Sequence, residues 1–272
     1  MKSLRGFWFA AALLCAAPAL WPTDARAQRA EGWTTSASLY LWFPTLGGKS
    51  VYPPESGGSS IGVDVGTLLE NLEAVFMGTL EAHNGTWGVY SDLVYMDIGG
   101  DKSGTRSITI GGSELPAGAS ADTRLDLTGG AWTLGGSYRV LAAPGMSVDL
   151  VAGVRLLDIE TSLRWTLAGN IGSIALPDRA GDRATRLKNW DGIVGAKGRI
   201  ALGDGPWFSP WYVDIGAGDS ELTRQAMAGV GYGFGWGDLV LAWRYVGYRF
   251  KPGRAMEELS FNGALLAGVF RW

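Results

Sequence analysis

Residues 257–272, EELSFNGALLAGVFRW, constrain the fold more than any other stretch of the chain. Every second position, counted back from the end, is small or apolar: Trp272, Phe270, Gly268, Leu266 and Ala264. A period of two is typical of one face of a β-strand. A chain that ends on such a strand needs a partner for it, because an unpaired apolar edge aggregates in water and leaves backbone groups unsatisfied in lipid. Pairing with the first strand meets this need, so the stretch predicts a closed β-barrel.

Alternating segments recur along the chain, and each is long enough to cross a bilayer at a tilt, which takes about 9 to 11 residues. We predict ten strands, over residues 33–43, 74–83, 86–97, 122–140, a fifth from 147, then 188–202, 207–217, 222–234, 239–250 and 257–272. The fold class is therefore an all-β, closed, antiparallel, up-and-down transmembrane β-barrel of about ten strands, with eight or twelve as alternatives. The 42 Gly and 13 Trp fit this class, because spanning strands alternate in polarity and carry aromatic residues at both membrane edges.

The connections between these strands differ in length. Long loops are predicted at 44–73, 98–121 and 168–187, and short turns occupy the other end. Outer-membrane barrels have short periplasmic turns and longer external loops, which orients the chain with both termini in the periplasm. Thr67 and Glu70 have capping-box spacing, so one or two helical turns are expected there, on the barrel rim rather than as a plug in the lumen. After Leu156 and Leu157 the polar set changes phase, which predicts a β-bulge.

The N-terminal residues 1–27 read as a secretory signal peptide. Lys2 and Arg5 form a basic start, an apolar run covers 7–20, and Ala25-Arg26-Ala27 is a small-residue cleavage site, so cleavage is predicted before Gln28. The barrel domain is then 28–272. The only cysteine, Cys15, is lost with the peptide, which excludes disulfides from the mature chain.

Aromatic residues are expected to form girdles at both edges of a lipid band. Five fall near the predicted periplasmic edge: Trp33, Trp87, Trp207, Trp236 and Trp272. Four fall near the predicted outer edge: Trp42, Tyr95, Trp165 and Trp190. Loop length and Trp position thus agree on the orientation.

Four stretches resemble a group of uncharacterised proteobacterial outer-membrane barrel proteins: SLYLWFPTLGG, NGTWGVYSDLVYMD, NWDGIVGAKGRIAL and YVGYRF. The ending on Trp272 is similar to the closing strand of bacterial outer-membrane barrels. The resemblance implies a Gram-negative outer-membrane location and recognition of the last strand by the barrel-assembly machinery. It implies no catalytic or ligand-binding residues.

Charged residues are expected on the strand faces opposite the lipid: Glu81, Asp92, Arg124, Asp126, Asp149, Arg155, Asp191, Lys197, Arg199, Asp214 and Arg244. Charges of both signs will pair across the interior, because an isolated charge there loses hydration without compensation. A salt-bridged core that closes a small barrel is one interpretation, and a narrow channel for small polar solutes is the other. About eight strands leave an interior filled by side chains and sixteen leave an aqueous pore, so ten strands lie closer to a filled interior.

An outer-membrane enzyme that acts on lipid A or surface substrates is the alternative class. The single histidine, His83, lies beside the predicted Asn84-Gly85 turn at the periplasmic edge, away from outer-leaflet substrates. We therefore predict no catalytic residues, no cofactor and no metal site. The formal net charge of −3 disfavours a nucleic-acid partner. Four basic residues on external segments are candidate contacts for lipopolysaccharide phosphates: Arg179, Arg183, Arg186 and Lys188.

Overall fold

The computed structural model describes residues 32–50, 59–63, 65–103, 109–110, 113–114, 119–171, 174–254 and 256–272. The predicted signal peptide lies outside these residues, as does Ile108 in the second predicted loop. The strands are β1 (Thr34–Ser50), β2 (Ser59–Val63), β3 (Leu72–His83), β4 (Trp87–Ser103), β5 (Thr109–Ile110), β6 (Ser113–Glu114), β7 (Ala119–Ala143), β8 (Met146–Ile171), β9 (Ile174–Ala201), β10 (Trp207–Gly218), β11 (Ser220–Phe234), β12 (Gly237–Phe250) and β13 (Met256–Arg271). One short helix, α1, covers Val65–Glu70.

Ten of these strands form a closed antiparallel ring, in the order β1, β3, β4 and then β7 to β13. The last strand closes on the first: Ala37 pairs with Phe270 and Leu41 with Leu266. Trp272 and Thr35 also exchange two backbone hydrogen bonds, of 3.0 and 3.1 Å. The prediction of a closed ten-stranded up-and-down barrel is confirmed. Among the described residues, the short β2 pairs with residues 46–50 of β1 alone, and β5 and β6 form a separate two-stranded hairpin.

One end of the barrel, the turn end, holds the connections at 84–86, 144–145, 202–206 and 235–236. The first of these shows how the sequence makes a tight hairpin. The Asn84 side chain accepts a hydrogen bond from the Trp87 backbone N–H at 2.8 Å, and Gly85 has a φ of 90°, which favours glycine. Because this type of turn fixes register, Ala82 then pairs with Val89.

At the opposite end, the extended end, β7, β8 and β9 continue far beyond their neighbours. They have 25, 26 and 28 residues against 12 in β10, and a bilayer crossing needs only about 9 to 11. The predicted loop at 168–187 is wrong, because most of it is the ends of β8 and β9, which leave only 172–173 between them. The loops at 44–73 and 98–121 are also shorter than predicted, since β1 runs on to Ser50 and β4 to Ser103.

The predicted β-bulge near Leu157 is also wrong. Leu156, Leu157 and Asp158 pair in unbroken succession with Trp190, Asn189 and Lys188. The polarity changes because the surroundings of the strand change. On the turn-end side the outward face is apolar, whereas from Asp158 onward it is polar and the inward residues Leu157 and Ile159 pack into an apolar interior.

The outer surface between the two ends is an apolar belt. Its exposed side chains include Leu39, Leu41, Leu80, Val89, Leu150, Val194, Val213, Ile215, Leu241 and Leu266. Inward residues of the same strands are buried, as in the pattern of β12, where Leu241 is exposed and Val240 and Ala242 are not. Apolar side chains that encircle a barrel in this way are the surface that spanning strands present to lipid.

Candidate functional site

The barrel interior has three layers, and the middle one is a network of buried charges. Its first half centres on Arg155 of β8, whose side chain is 1% exposed. Arg155 donates to both carboxylate oxygens of Asp214, with the Nη1 contact at 3.0 Å. It also donates to Thr223 at 3.2 Å and to Thr133 at 3.3 Å. A buried guanidinium is tolerated when its donors are satisfied in this way.

The second half of the network joins Arg244 of β12 to Asp92 of β4. Arg244 Nη2 donates to Asp92 Oδ2 at 2.8 Å, and Arg244 Nη1 donates to the Tyr40 hydroxyl at 2.9 Å. Asp92 Oδ1 accepts from both Tyr40 and Thr79 at 2.7 Å. Gln225 links the two halves, since its Oε1 accepts from Arg155 at 3.0 Å and from Arg244 at 3.2 Å. The network therefore spans the interior, since it joins β12 to β4 through Arg244 and β8 to β11 through Arg155.

Beyond this network, toward the extended end, the interior is mostly apolar, apart from the buried Asn189 and Ser220. Trp42 packs against Phe261 with ring centroids 6.1 Å apart, and its indole donates to the Gly263 carbonyl at 3.3 Å. The cluster, here called the apolar layer, also contains Leu46, Met77, Val94, Met96, Ile98, Leu157, Val246, Tyr248, Phe250 and Leu259. These side chains are buried inside the barrel.

The third layer is a cavity of about 360 Å³ beside the turn end. Ion pairs line it: Lys197 contacts Glu81 at 2.6 Å, and Arg139 donates to Asp149 through Nε and Nη2. Asp238 accepts from Arg199 at 2.7 Å and from Arg271. One wall is apolar, with Val240, Leu265, Ala267 and Val269, and the adjacent strands β1 and β3 contribute hydroxyl groups from Ser36, Ser38 and Thr79.

Nine of the eleven residues expected in the lumen thus have described inward side chains: Glu81, Asp92, Asp149, Arg155, Asp191, Lys197, Arg199, Asp214 and Arg244. Asp191 accepts from Asn189 and from the Ser220 backbone N–H, each at 2.8 Å. The prediction that Asp126 faces the lumen is wrong. Because its neighbour Leu127 packs against the apolar layer, Asp126 lies on the outer surface, where Ser162 donates to it at 3.5 Å. Arg124 lies on β7, and its side chain is outside the described residues.

Sequence reasoning missed several interior residues. Tyr40, Gln225, Asp238 and Arg271 were not among the expected set, although alternation marks Arg271 as inward, since its neighbours Phe270 and Trp272 are exposed. The contacts that these residues make could not be read from alternation.

The aromatic residues at the turn end form a continuous row on the outer surface. Trp207 contacts Tyr232, which contacts Phe234, and Phe234 stacks on Trp236 at 5.5 Å. Trp33, Trp87 and Trp272 are exposed at the same end. Toward the extended end, Trp190 is exposed and packs edge-on against Trp132, and Tyr95 is half-buried on the outward face. Trp165 has a side chain outside the described residues.

Trp42 is the one described residue of the expected girdles that does not face outward. Its side chain is 6% exposed and lies in the apolar layer, under the Arg244 guanidinium at 5.0 Å. Since Leu41 and Phe43 take the outward face of β1, alternation alone places Trp42 inside.

Of the basic residues expected to contact lipopolysaccharide, Arg186 is already paired. It donates through Nε and Nη2 to Asp158 at 2.8 and 2.7 Å, and these hydrogen bonds raise the pKa of Arg186 above its ordinary value. Lys188 is exposed. The side chains of Arg179 and Arg183 lie outside the described residues.

The described part of the chain contains neither a metal-binding cluster nor a helix that could span a membrane. Among these residues, no group of three or more His, Cys, Asp and Glu side chains is arranged to hold a metal ion. Nor does a helix of sufficient length and hydrophobicity to cross a membrane occur there.

No protein-family model matches the sequence, and no curated protein matches it either. Among solved structures, the outer-membrane protease OmpT of Escherichia coli is similar at 13% identity with a TM-score of 0.48, over 89% of this chain and 97% of that one. Ail, the attachment invasion locus protein of Yersinia pestis, matches at 10% identity with a TM-score of 0.30, over 89% and 99% of the two chains. CarO of Acinetobacter baumannii matches at 11% identity with a TM-score of 0.29, over 88% and 97%. At these values none of them identifies a function for the chain.

Proposed function

We propose that the chain is an integral protein of the Gram-negative outer membrane whose barrel is closed to ion and solute flow. The observation that carries this proposal is the filled interior. A network of two ion pairs, Arg155–Asp214 and Arg244–Asp92, spans the barrel and is joined through Gln225. The apolar layer lies next to this network, on the side of the extended end. A continuous water path would need both layers to be displaced. The narrow passive channel is therefore the less favoured of the two interpretations.

Two features support the membrane location. The apolar belt has exposed aliphatic side chains on every side of the ring, and exposed apolar surface of this extent marks contact with lipid or another apolar partner. An aromatic row borders the belt at the turn end. In this proposal the turn end faces the periplasm, and β7, β8 and β9 extend into the medium as a surface-interaction element.

The proposed assembly route uses the last strand. Strand β13 ends beside Trp272, which is exposed on the outer surface. In the folded barrel β13 is already paired with both β12 and β1, so the assembly machinery would have to recognise it before closure.

Single-channel recording of the refolded mature protein in a planar lipid bilayer tests the closed state. We expect no conductance steps from the native protein, with a co-reconstituted porin as the control for insertion. The Arg155→Gln and Asp92→Asn variants should also be silent, because the apolar layer remains. Stable steps from the native protein, with an ion selectivity that changes in these two variants, would overturn the proposal and establish a channel.

The alternative of an outer-membrane enzyme keeps one candidate residue, His83, which lines the turn-end cavity. Its Nδ1 accepts a hydrogen bond from the Gly85 backbone N–H at 3.3 Å, which is a contact within the hairpin turn. A hydrolytic activity of the native protein that His83→Ala abolishes would favour the enzyme.

A further inference from the structure

Two arginines at the turn-end cavity share a single carboxylate. Arg271 Nη1 donates to Asp238 Oδ1 at 3.0 Å, and Arg199 Nη1 donates to Asp238 Oδ2 at 2.7 Å. The Asp238 side chain is 3% exposed, whereas those of Arg199 and Arg271 are 41% and 43% exposed. One carboxylate balances only one of the two guanidinium charges.

The other cations that line the cavity each have a carboxylate of their own. Arg139 pairs with Asp149 and Lys197 with Glu81. At the inner end of the cavity, Arg155 pairs with Asp214 and Arg244 with Asp92. The unbalanced positive charge of the cavity therefore lies at Arg199 and Arg271.

The guanidinium of Arg199 has one edge, formed by Nε and Nη2, that is free to donate hydrogen bonds. Only its Nη1 has a hydrogen-bond partner among the described residues, which leaves Nε and Nη2 without one. This is the edge through which Arg139 holds Asp149 and Arg186 holds Asp158, each by two parallel bonds. An arginine fork of this kind matches the geometry of a carboxylate or phosphate group.

The Arg199 guanidinium is also held in place before any ligand binds. Its Cζ lies 3.2 Å from the centroid of the Phe208 ring, and Phe208 is itself buried. Stacking on a fixed ring and bonding to Asp238 restrict the side chain, so little rotamer freedom is left to lose on binding.

The cavity that Arg199 lines can take more than a simple ion. Its volume of about 360 Å³ lies in the range of small-molecule sites. Val240, Leu265 and Ala267 make one wall apolar and are each buried. An apolar body would lie against this wall while an anionic group met Arg199.

We propose that the turn-end cavity is a binding site for a small organic oxyanion, a carboxylate or a phosphate ester with an apolar body, held by the free Nε/Nη2 edge of Arg199 with Arg271 beside it. This proposal goes beyond the closed barrel and does not depend on it. A barrel without conductance can lack the binding site, and a barrel that conducts ions can contain it.

Isothermal titration calorimetry with benzoate tests the site, using the refolded mature protein in detergent micelles and empty micelles as the blank. We expect saturable binding by the native protein. Benzyl alcohol, which keeps the ring but has no charge, and inorganic phosphate, which has the charge but no ring, should each bind at least tenfold more weakly.

Arg199→Gln removes the charge and part of the fork, so it should weaken benzoate binding at least tenfold. Arg199→Lys keeps the charge that pairs with Asp238 but has no fork, and should give an intermediate affinity. Arg186→Gln is the matched control at the extended end, where the arginine edge is already occupied, and should bind as the native protein does.

Three outcomes would overturn the proposal. The first is an absence of saturable benzoate binding by the folded native protein. The second is equal affinity of the native protein, Arg199→Lys and Arg199→Gln. The third is equal binding of benzoate and benzyl alcohol, which would mean partition into the apolar wall without any role for the arginine.

Discussion

Arg155 and Asp214 meet inside the barrel from strands that are not neighbours, since β9 lies between β8 and β10. Their side chains are 1% and 0% exposed, and Arg155 Nη1 donates to Asp214 Oδ1 at 3.0 Å. This pair links β8 directly to β10, in addition to the backbone hydrogen bonds that each strand makes with β9.

Asp214→Ala should destabilise the barrel strongly, because it leaves the buried Arg155 without a counter-charge. Loss of one partner of a buried pair costs about 3 to 5 kcal/mol. Urea unfolding in lipid vesicles, followed by tryptophan fluorescence, measures the change. Asp158→Ala is the control, since its partner Arg186 is 47% exposed and such surface pairs contribute about 0 to 1 kcal/mol. Equal effects of the two changes would contradict a structural role for the buried pair.

Leu241→Lys tests the apolar belt. Leu241 is 62% exposed on the outer surface, about midway along the belt on β12. A lysine facing lipid near the bilayer midplane costs about 2 to 4 kcal/mol, so the yield of folded protein in vesicles should fall. Glu160→Lys, on the outward face of β8 beyond the belt, should fold normally. Normal folding of both variants would argue against a lipid-facing belt.

Leu157→Ala and Leu156→Ala test the unbroken register of β8. Leu157 is 2% exposed in the apolar layer, whereas Leu156 faces outward. Truncation of a buried leucine costs about 2 to 5 kcal/mol, because a cavity is left behind. We expect a clear fall in the unfolding free energy for Leu157→Ala and a much smaller one for Leu156→Ala. The reverse order would mean that a bulge changes the face of the strand here.

Gly130→Ala tests how closely β7 approaches β4. A Cβ on Gly130 would overlap the Val94 carbonyl oxygen, which is backbone and cannot move aside. Overpacking of this kind costs about 1 to 3 kcal/mol. The matched control is Gly136→Ala on the same strand and face, where the nearest atom, the Gly88 oxygen, is 3.8 Å away. The two variants should differ clearly in urea unfolding, and equal stabilities would show that the strands separate without penalty.

Local alternation predicted most of the strands, because the side-chain period of a strand depends only on its own backbone. It failed where the surroundings of a strand change along its length. In β8 the pattern changes phase at Leu157, and the sequence alone does not distinguish a bulge from a strand that leaves the lipid. The same limit explains the predicted loop at 168–187, whose polar composition belongs to β8 and β9 where they extend past the belt.

The sequence by itself determined the class of fold and the face on which most charged residues lie, and it indicated about ten strands with eight or twelve as alternatives. These follow from alternation, turn residues and the need of the last strand for a partner, all of which can be read along the chain. Only the tertiary structure decided which charges meet. Arg244 pairs with Asp92, 152 residues away, and Arg199 shares Asp238 with Arg271. Contacts across a barrel depend on the tilt and stagger of its strands, and these arise when the whole ring closes rather than within any one segment.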